Sequence, residues 1–245
     1  MKFYGVRIEG RERVGNYTLL HYRWTYGRVE PGQFVMARAN GLPLTLDPLL
    51  ARPFSFYDYD GEIASLLFEV RGRGTALLDQ ASTIEVSAPL GRGFRIDAAG
   101  GRAALLGGGV GVAPLKVLSR RLAEFGVRHD LYLGFADART AEVAREFPAS
   151  KVATMDGTLG ATGTVLDAVP DLEGYPVVYA CGPNPMLAAV KRAVGEGTLC
   201  QLSVEERMGC GNGSCNGCVI PVRNGGYVRS CVEGPVFRAE VLAWQ

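Results

Sequence analysis

A chain of 245 residues is long for one domain and comfortable for two with a small appendage. At 47% hydrophobic residues it can bury a substantial core without staples. Its 26 basic and 25 acidic residues leave a net charge of +1, which provides no footprint for nucleic acid or an anionic membrane.

Met1 to Arg7 hold no apolar run, so no signal peptide is expected and a cytoplasmic location is the default. Residues 1 to about 98 read as all-β. Tyr17 to Trp24 and Ile63 to Val70 are rich in β-branched, leucine and aromatic residues, and Pro31-Gly32, Asp60-Gly61 and Gly91-Arg92-Gly93 punctuate such runs. Short strands at this spacing suit a small antiparallel barrel. One helix is expected at Ala76 to Gln80, just after Gly74-Thr75.

From about residue 100 the pattern changes. Ala103 to Leu106 read as a short apolar strand followed by Gly107-Gly108-Gly109-Val110-Gly111. A helical pattern from Pro114 to Phe125 then puts Leu115, Leu118 and Leu122 on one face. Asp130 to Phe135 and Pro176 to Ala180 are further strands, the second leading to a helix at Pro185 to Val194. Strands alternating with helices predict a parallel, doubly wound sheet. The most apolar stretch, Ala103 to Leu115, has thirteen residues between Arg102 and Lys116, too few to span a bilayer. The tail from about residue 201 is rich in Gly and Cys and short of core residues, so something other than apolar burial must order it. The expected units are a barrel over 1–98, a nucleotide-binding α/β domain over 99–200 and a small module over 201–245.

Four of the six cysteines fall in the last 36 residues. Cys210, Cys215, Cys218 and Cys231 follow the C-x4-C-x2-C…C spacing of plant-type 2Fe–2S proteins. Two irons need four thiolates converging from a tight loop, and Gly211, Gly213 and Gly217 leave amides free to bond the sulfurs. The alternatives are a zinc site, which usually shows two C-x2-C knuckles where this tail has one, and unligated thiols.

Arg52-Pro53-Phe54-Ser55 opens a strand, and an Arg there suits a pyrophosphate while a Ser hydroxyl suits polar flavin atoms. Gly72-Arg73-Gly74-Thr75 leads into the first helix, whose free amides suit the same pyrophosphate. Taken singly, each segment also reads as an ordinary strand entry or capped helix start. The turn containing Gly108, Gly109 and Gly111 is not a strict G-x-G-x-x-G. It either lets phosphate approach helix amides or serves only tight packing. Cys181-Gly182-Pro183 sits at the carboxyl edge of a strand, where ligands bind in open sheets, although a lone Cys is more often a buried small residue. Asp156-Gly157-Thr158 reads as a turn.

Together these segments resemble the ferredoxin-reductase-type flavoprotein family. The resemblance implies FAD on Arg52, Pro53, Phe54, Ser55, Gly74 and Thr75, with further contacts at Leu67, Phe68 and Glu69. It places Cys181, Gly182 and Pro183 beside the nicotinamide, and Asp156 in a loop facing the nucleotide. The family often carries Tyr-Arg where Phe68-Glu69 stands here. An acidic side chain cannot pair with phosphate, which leaves backbone contacts there and Arg71 or Arg73 to compensate.

The order of barrel, nucleotide domain and ferredoxin-like loop narrows the resemblance to electron-transfer subunits of the two-subunit, NAD-linked dihydroorotate dehydrogenases. It is sharpest at Asp47 to Ser55, at Pro89 to Phe94, at Glu205-Glu206-Arg207-Met208 and at Cys231 to Phe237. It implies a role in pyrimidine biosynthesis with an FMN-containing catalytic partner, two copies of each forming a heterotetramer. Electrons would pass from that FMN through a 2Fe–2S cluster on Cys210, Cys215, Cys218 and Cys231 to FAD, and as hydride to NAD. No catalytic acid or base stands out, and His21 and His129 read as ordinary strand and loop residues. No segment resembles an eight-fold β/α barrel, so dihydroorotate oxidation is left to the partner. Asp137, just past the Leu131 to Phe135 strand, favours NAD over NADP, with Arg139 two residues on as the opposing charge. The rival readings are the equivalent subunit of another complex, such as a ferredoxin–nicotinamide nucleotide reductase or a sulfhydrogenase, and a non-catalytic, zinc-stapled nucleotide sensor.

Overall fold

The computed structural model describes residues 1–40, 47–96 and 101–244. The expected boundary at residue 98 lies outside them. Six strands form a closed antiparallel barrel: β1 (Phe3–Val14), β2 (Tyr17–Arg23), β3 (Phe34–Ala39), β4 (Arg52–Tyr59), β5 (Ile63–Glu69) and β6 (Thr83–Ser87), in the order β1-β2-β5-β4-β3-β6. Leu20, Tyr22, Phe56, Leu66 and Ile84 fill its interior together with Trp24. The alternate residues Tyr17, Leu19, Tyr57 and Leu67 pack instead into the core of the following domain. Two buried faces explain why β2 and β5 read as near-continuous apolar runs.

Helix α1 (Arg73–Gln80) starts three residues before the expected Ala76. The Thr75 hydroxyl accepts from the Arg71 and Gly72 amides at 3.0 and 3.2 Å and organises the first turn.

The second unit is a seven-stranded sheet. It contains β7 (Arg102–Gly108), β8 (Arg128–Phe135), β9 (Lys151–Thr154), β10 (Ala161–Thr162), β11 (Val177–Gly182) and β12 (Leu199–Val204). Beyond a small hairpin, β13 (Val219–Pro221) with β14 (Tyr227–Arg229), the tail supplies the last strand, β15 (Val236–Arg238). The order is β10-β9-β8-β7-β11-β12-β15, parallel except for β15. Helix α2 (Ala113–Glu124) packs Leu115, Leu118 and Leu122 on one face, and α3 (Asn184–Ala193) packs Leu187 and Val190 on the other, as a doubly wound sheet requires.

Three details depart from the sequence reading. Gly107 and Gly108 belong to β7, and the turn that follows is a 3-10 segment over Gly109–Val112. His129 lies in β8 rather than a loop, its Nε2 2.7 Å from Ser119 Oγ. The tail is not short of core: Val236, Phe237, Ala239 and Leu242 are buried, and the expected boundary after residue 200 falls inside β12. A pattern-based reading misses this because β15 is three residues long and its partner lies 35 residues upstream.

Barrel and sheet are joined firmly. Arg120 of α2 pairs with Asp58 at 2.5 Å, and Lys116 lies 6.0 Å from the Tyr57 ring centre of β4. Among the described residues no helix is long and apolar enough to cross a membrane.

Candidate functional site

In the sheet, the chain runs outward from β7 to β10 and then resumes on the other side of β7 with β11. That reversal creates a crevice at the carboxyl ends of β7 and β11, where open α/β sheets bind ligands. The barrel closes the crevice into a cleft of about 290 Å³. Its barrel wall is Phe34, Arg52 to Ser55, Leu67 to Glu69, Arg71 and Thr75. The opposite wall is Val110, Ala113, Cys181 and Ser203 to Glu206, with Met208 and Pro235.

The residues expected to meet a flavin are thus gathered in one place, each with its own geometry. Phe54 and Phe68 place their rings 5.3 Å apart and belong both to the barrel core and to the cleft wall. Gly74 lies behind the wall, and a Cβ on it would sit 2.3 Å from Arg52 Cζ. Only glycine lets that guanidinium lie across the start of α1. Arg52 also donates to the Leu50 carbonyl, which holds its side chain in place. Glu69 accepts from Arg71 Nε at 2.6 Å, whereas Arg73 pairs with Asp47 at 2.7 Å on the exposed surface. Arg71, and not Arg73, joins Arg52 at the cleft.

Cys181 is buried, in register between Gly107 of β7 and Ser203 of β12. Burial, and then Glu205, push its thiol pKa up. Solvent reaches Glu205, but the cleft walls crowd it, and that desolvation raises its carboxyl pKa against the lowering effect of Arg71. Gly111 rests on the next turn of chain: a Cβ there would meet the Cys181 carbonyl oxygen at 2.5 Å. Gly108 faces Pro183 and the Met186 sulfur, and Gly182 abuts the Gly108 amide, so Gly108, Gly111, Cys181, Gly182 and Pro183 form one crowded ridge at the switch point. Gly109, with φ of 56°, faces open space.

Asp156 is further out. Its carboxylate accepts from the Thr158 hydroxyl at 2.7 Å and amide at 3.0 Å, and these bonds hold it below the usual carboxylate range. Thr158 in turn accepts from the Ala138 amide at 2.8 Å, so Asp156 ties together the loops after β8 and β9. Asp137 is also occupied: its Oδ1 accepts from the Thr140 amide at 2.8 Å and hydroxyl at 3.0 Å.

Several wall residues escaped the sequence reading, among them Phe34, Ser203 and Pro235. The segment Glu205 to Met208 carried a signal, since it joins a sheet strand directly to the cysteine loop. Glu206 accepts from Asn184 Nδ2 at 3.3 Å, anchoring that strap to α3.

The four clustered thiols come as two pairs. Cys218 and Cys231 are buried with sulfurs 3.2 Å apart. The Cys215 amide donates to Cys210 Sγ, and the Gly217 amide to Cys215 Sγ, each at 3.4 Å. Burial alone would raise Cys210, but the amides of Asn212, Cys215 and Ser214 and the Cys215 thiol bring it down to about 6. Burial, then the Cys218 thiol, pushes Cys231 up to about 12. Gly211 and Gly213 adopt φ of 69° and 83°, the left-handed turns that let a short loop aim amides inward. Among the described residues, no three ligand-type side chains converge as on one ion. Two thiol pairs ringed by amides suit a two-iron cluster, in which each iron takes two thiolates.

Residues 205–243 match the family model described as the iron–sulfur cluster binding domain of dihydroorotate dehydrogenase B. The dihydroorotate dehydrogenase B (NAD(+)) electron transfer subunit of Geobacillus thermodenitrificans (strain NG80-2) is 43% identical over 224 residues, covering 86% of this chain and 85% of the relative. The chain belongs to that family. The subunit of the same name from Listeria monocytogenes serovar 1/2a (strain ATCC BAA-679 / EGD-e) is 41% identical over 225 residues, covering 86% of this chain and 87% of the relative. In fold, a chain of the NADH-dependent reduced ferredoxin-NADP oxidoreductase superposes with a TM-score of 0.82 at 24% identity, covering 98% of this chain and 90% of that one. Phthalate dioxygenase reductase superposes with a TM-score of 0.64 at 16% identity, covering 97% and 77%. As a dihydroorotate dehydrogenase B electron transfer subunit, this chain is an oxidoreductase subunit built from a barrel, a doubly wound sheet and a cysteine loop.

Proposed function

We propose that this chain carries FAD in the cleft and a 2Fe–2S cluster on Cys210, Cys215, Cys218 and Cys231. It delivers electrons from dihydroorotate oxidation to NAD in pyrimidine biosynthesis. The observation that carries this reading is shared packing. Phe34 and Met208 line the cleft and also belong to the apolar cluster that buries Cys218 and Cys231. One layer of side chains therefore separates the two sites.

Bound FAD exchanges a hydride with nicotinamide and single electrons with an iron–sulfur cluster. The chain's own residues hold and orient. Arg52 and the amino end of α1 at Gly74 take the pyrophosphate, with Arg71 as the second cation. Ser55 supplies a hydroxyl to polar flavin atoms. The ridge of Gly108, Gly111, Cys181, Gly182 and Pro183 takes the nicotinamide side, and NAD rather than NADP is the acceptor. Met208 and Phe34 exclude water between the two centres. Buried thiols held as ligands agree with a reducing, cytoplasmic setting.

Anaerobic NADH added to the purified subunit is expected to bleach the flavin bands and then the cluster bands. Flavin reduction that leaves the cluster oxidised, even at long times, would contradict a working path between them.

The catalytic partner, an FMN-bearing subunit in a complex with two copies of each, docks where a thiol reaches the surface. Cys215 is exposed, and Leu49 and Leu50 stand 61% and 53% exposed. Gly209 lies between them: a Cβ there would be 3.8 Å from Leu50 Cδ1 and 3.5 Å from Cys215 Sγ. Leu50→Asp is expected to weaken the complex by more than about 1 kcal/mol, roughly fivefold or more in Kd. Titration calorimetry with the separate catalytic subunit reads this, and an unchanged Kd would move the docking face elsewhere.

A further inference from the structure

Behind the cysteine loop stands an ion pair that the electron path does not use. Arg229 ends β14, Glu233 follows four residues later, and Cys231 lies between them. Arg229 Nη2 reaches Glu233 Oε1 at 2.5 Å, and its Nε and backbone amide reach Oε2 at 3.1 and 2.7 Å. The remaining arm, Nη1, donates to the Gly213 carbonyl at 3.4 Å. Gly213, with φ of 83°, sits hard against the turn that carries Cys231: a Cβ on it would meet Val232 Cγ2 at 2.7 Å and Arg229 Nη1 at 3.1 Å. One guanidinium thus holds three pieces of chain around one thiol.

We propose that Arg229 and Glu233 are positioning residues for the iron–sulfur centre, clamping Gly213 against the turn that carries Cys231 and setting the reduction potential of the cluster. The proposal rests on the cluster reading above. Amide bonds to sulfur and nearby cations stabilise the more negative reduced form and raise its potential, whereas an unpaired carboxylate lowers it. The fork of the guanidinium is essential to the clamp, because a lysine presents a point charge that cannot grip Glu233 and Gly213 together.

The test uses the full chain loaded with FAD and cluster. Redox titration followed by electron paramagnetic resonance gives the potential, and iron release to a chelator gives the stability. Arg229→Gln is expected to lower the potential, since Glu233 is left unpaired, and to weaken cluster retention by about 10–100-fold, the range for losing a partner behind a metal ligand. Glu233→Gln is expected to raise the potential. Arg229→Lys should recover most of the potential while still releasing iron faster than wild type. A purely structural strut would give equal potentials in all variants that keep their cluster, and that result overturns the proposal. If Arg229→Gln loses its cluster altogether, the Glu233→Gln and Arg229→Lys potentials decide. Wild-type protein without acid-labile sulfide would overturn the cluster reading itself, and the clamp with it.

Discussion

Cys215→Ser is expected to abolish the iron–sulfur cluster while leaving flavin bound. The cluster requires four thiolates, and a hydroxyl is a poor iron ligand beside thiolate. Cys215 is the right position to probe because its side chain is exposed and fills no core, so its loss leaves the packing of Phe34, Met36, Cys218 and Cys231 in place. The substitution also takes away the sulfur that accepts from the Gly217 amide at 3.4 Å. Wild-type protein should hold about two irons and two acid-labile sulfides per flavin, and the variant close to none. Iron and sulfide assays with a visible spectrum measure this. Wild-type levels in the variant would remove Cys215 from the ligand set, and stoichiometric zinc without sulfide in the wild type would replace the cluster by a zinc site.

Flavin binding should depend most on Arg52. Arg52→Ala is expected to weaken FAD by about 1.5–3 kcal/mol, or roughly 10- to 150-fold in Kd, the value of a hydrogen bond to a charged group. The guanidinium lies against Gly74 at the amino end of α1, so charge and free amides converge on one point. Arg52 also donates to the Leu50 carbonyl, and its removal loosens the approach to β4. Arg52→Lys retains the charge without the fork and is expected to fall between the two. Equilibrium dialysis of the flavin measures the effect, and full retention in Arg52→Ala would show that the pyrophosphate is held elsewhere.

The barrel and the sheet were legible because their sequence signals are local. Tyr17 to Trp24 and Ile63 to Val70 became strands within a residue of their expected ends, and Leu115, Leu118 and Leu122 are all buried on one face of α2. The cysteine spacing was legible for the same reason. What stayed hidden depends on contacts between distant residues. Arg71 and Arg73 are equivalent in sequence, and only the turn into α1 sends one to Glu69 and the other to Asp47. Asp137 read as a ribose acceptor, yet its nearest donors are the amide and hydroxyl of Thr140. The strap from Glu205 to Met208 read only as an approach to the cysteines, because its place in the cleft wall depends on barrel-side residues from Phe34 to Thr75, far upstream in the chain.

The pairing of β12 with β15 bears on how this chain can be shortened. Gln201, Leu202 and Ser203 bond to Arg238, Phe237 and Val236, so the cysteine loop is an excursion that leaves the sheet and returns to its own neighbour. A truncation placed at residue 200 would cut through β12 and discard β15 entirely. The raw edge of β11 would then face solvent, an open template for self-association and aggregation. An iron-free version for flavin work therefore has to excise the loop internally and splice the two strands together, keeping both ends of the excursion in the protein.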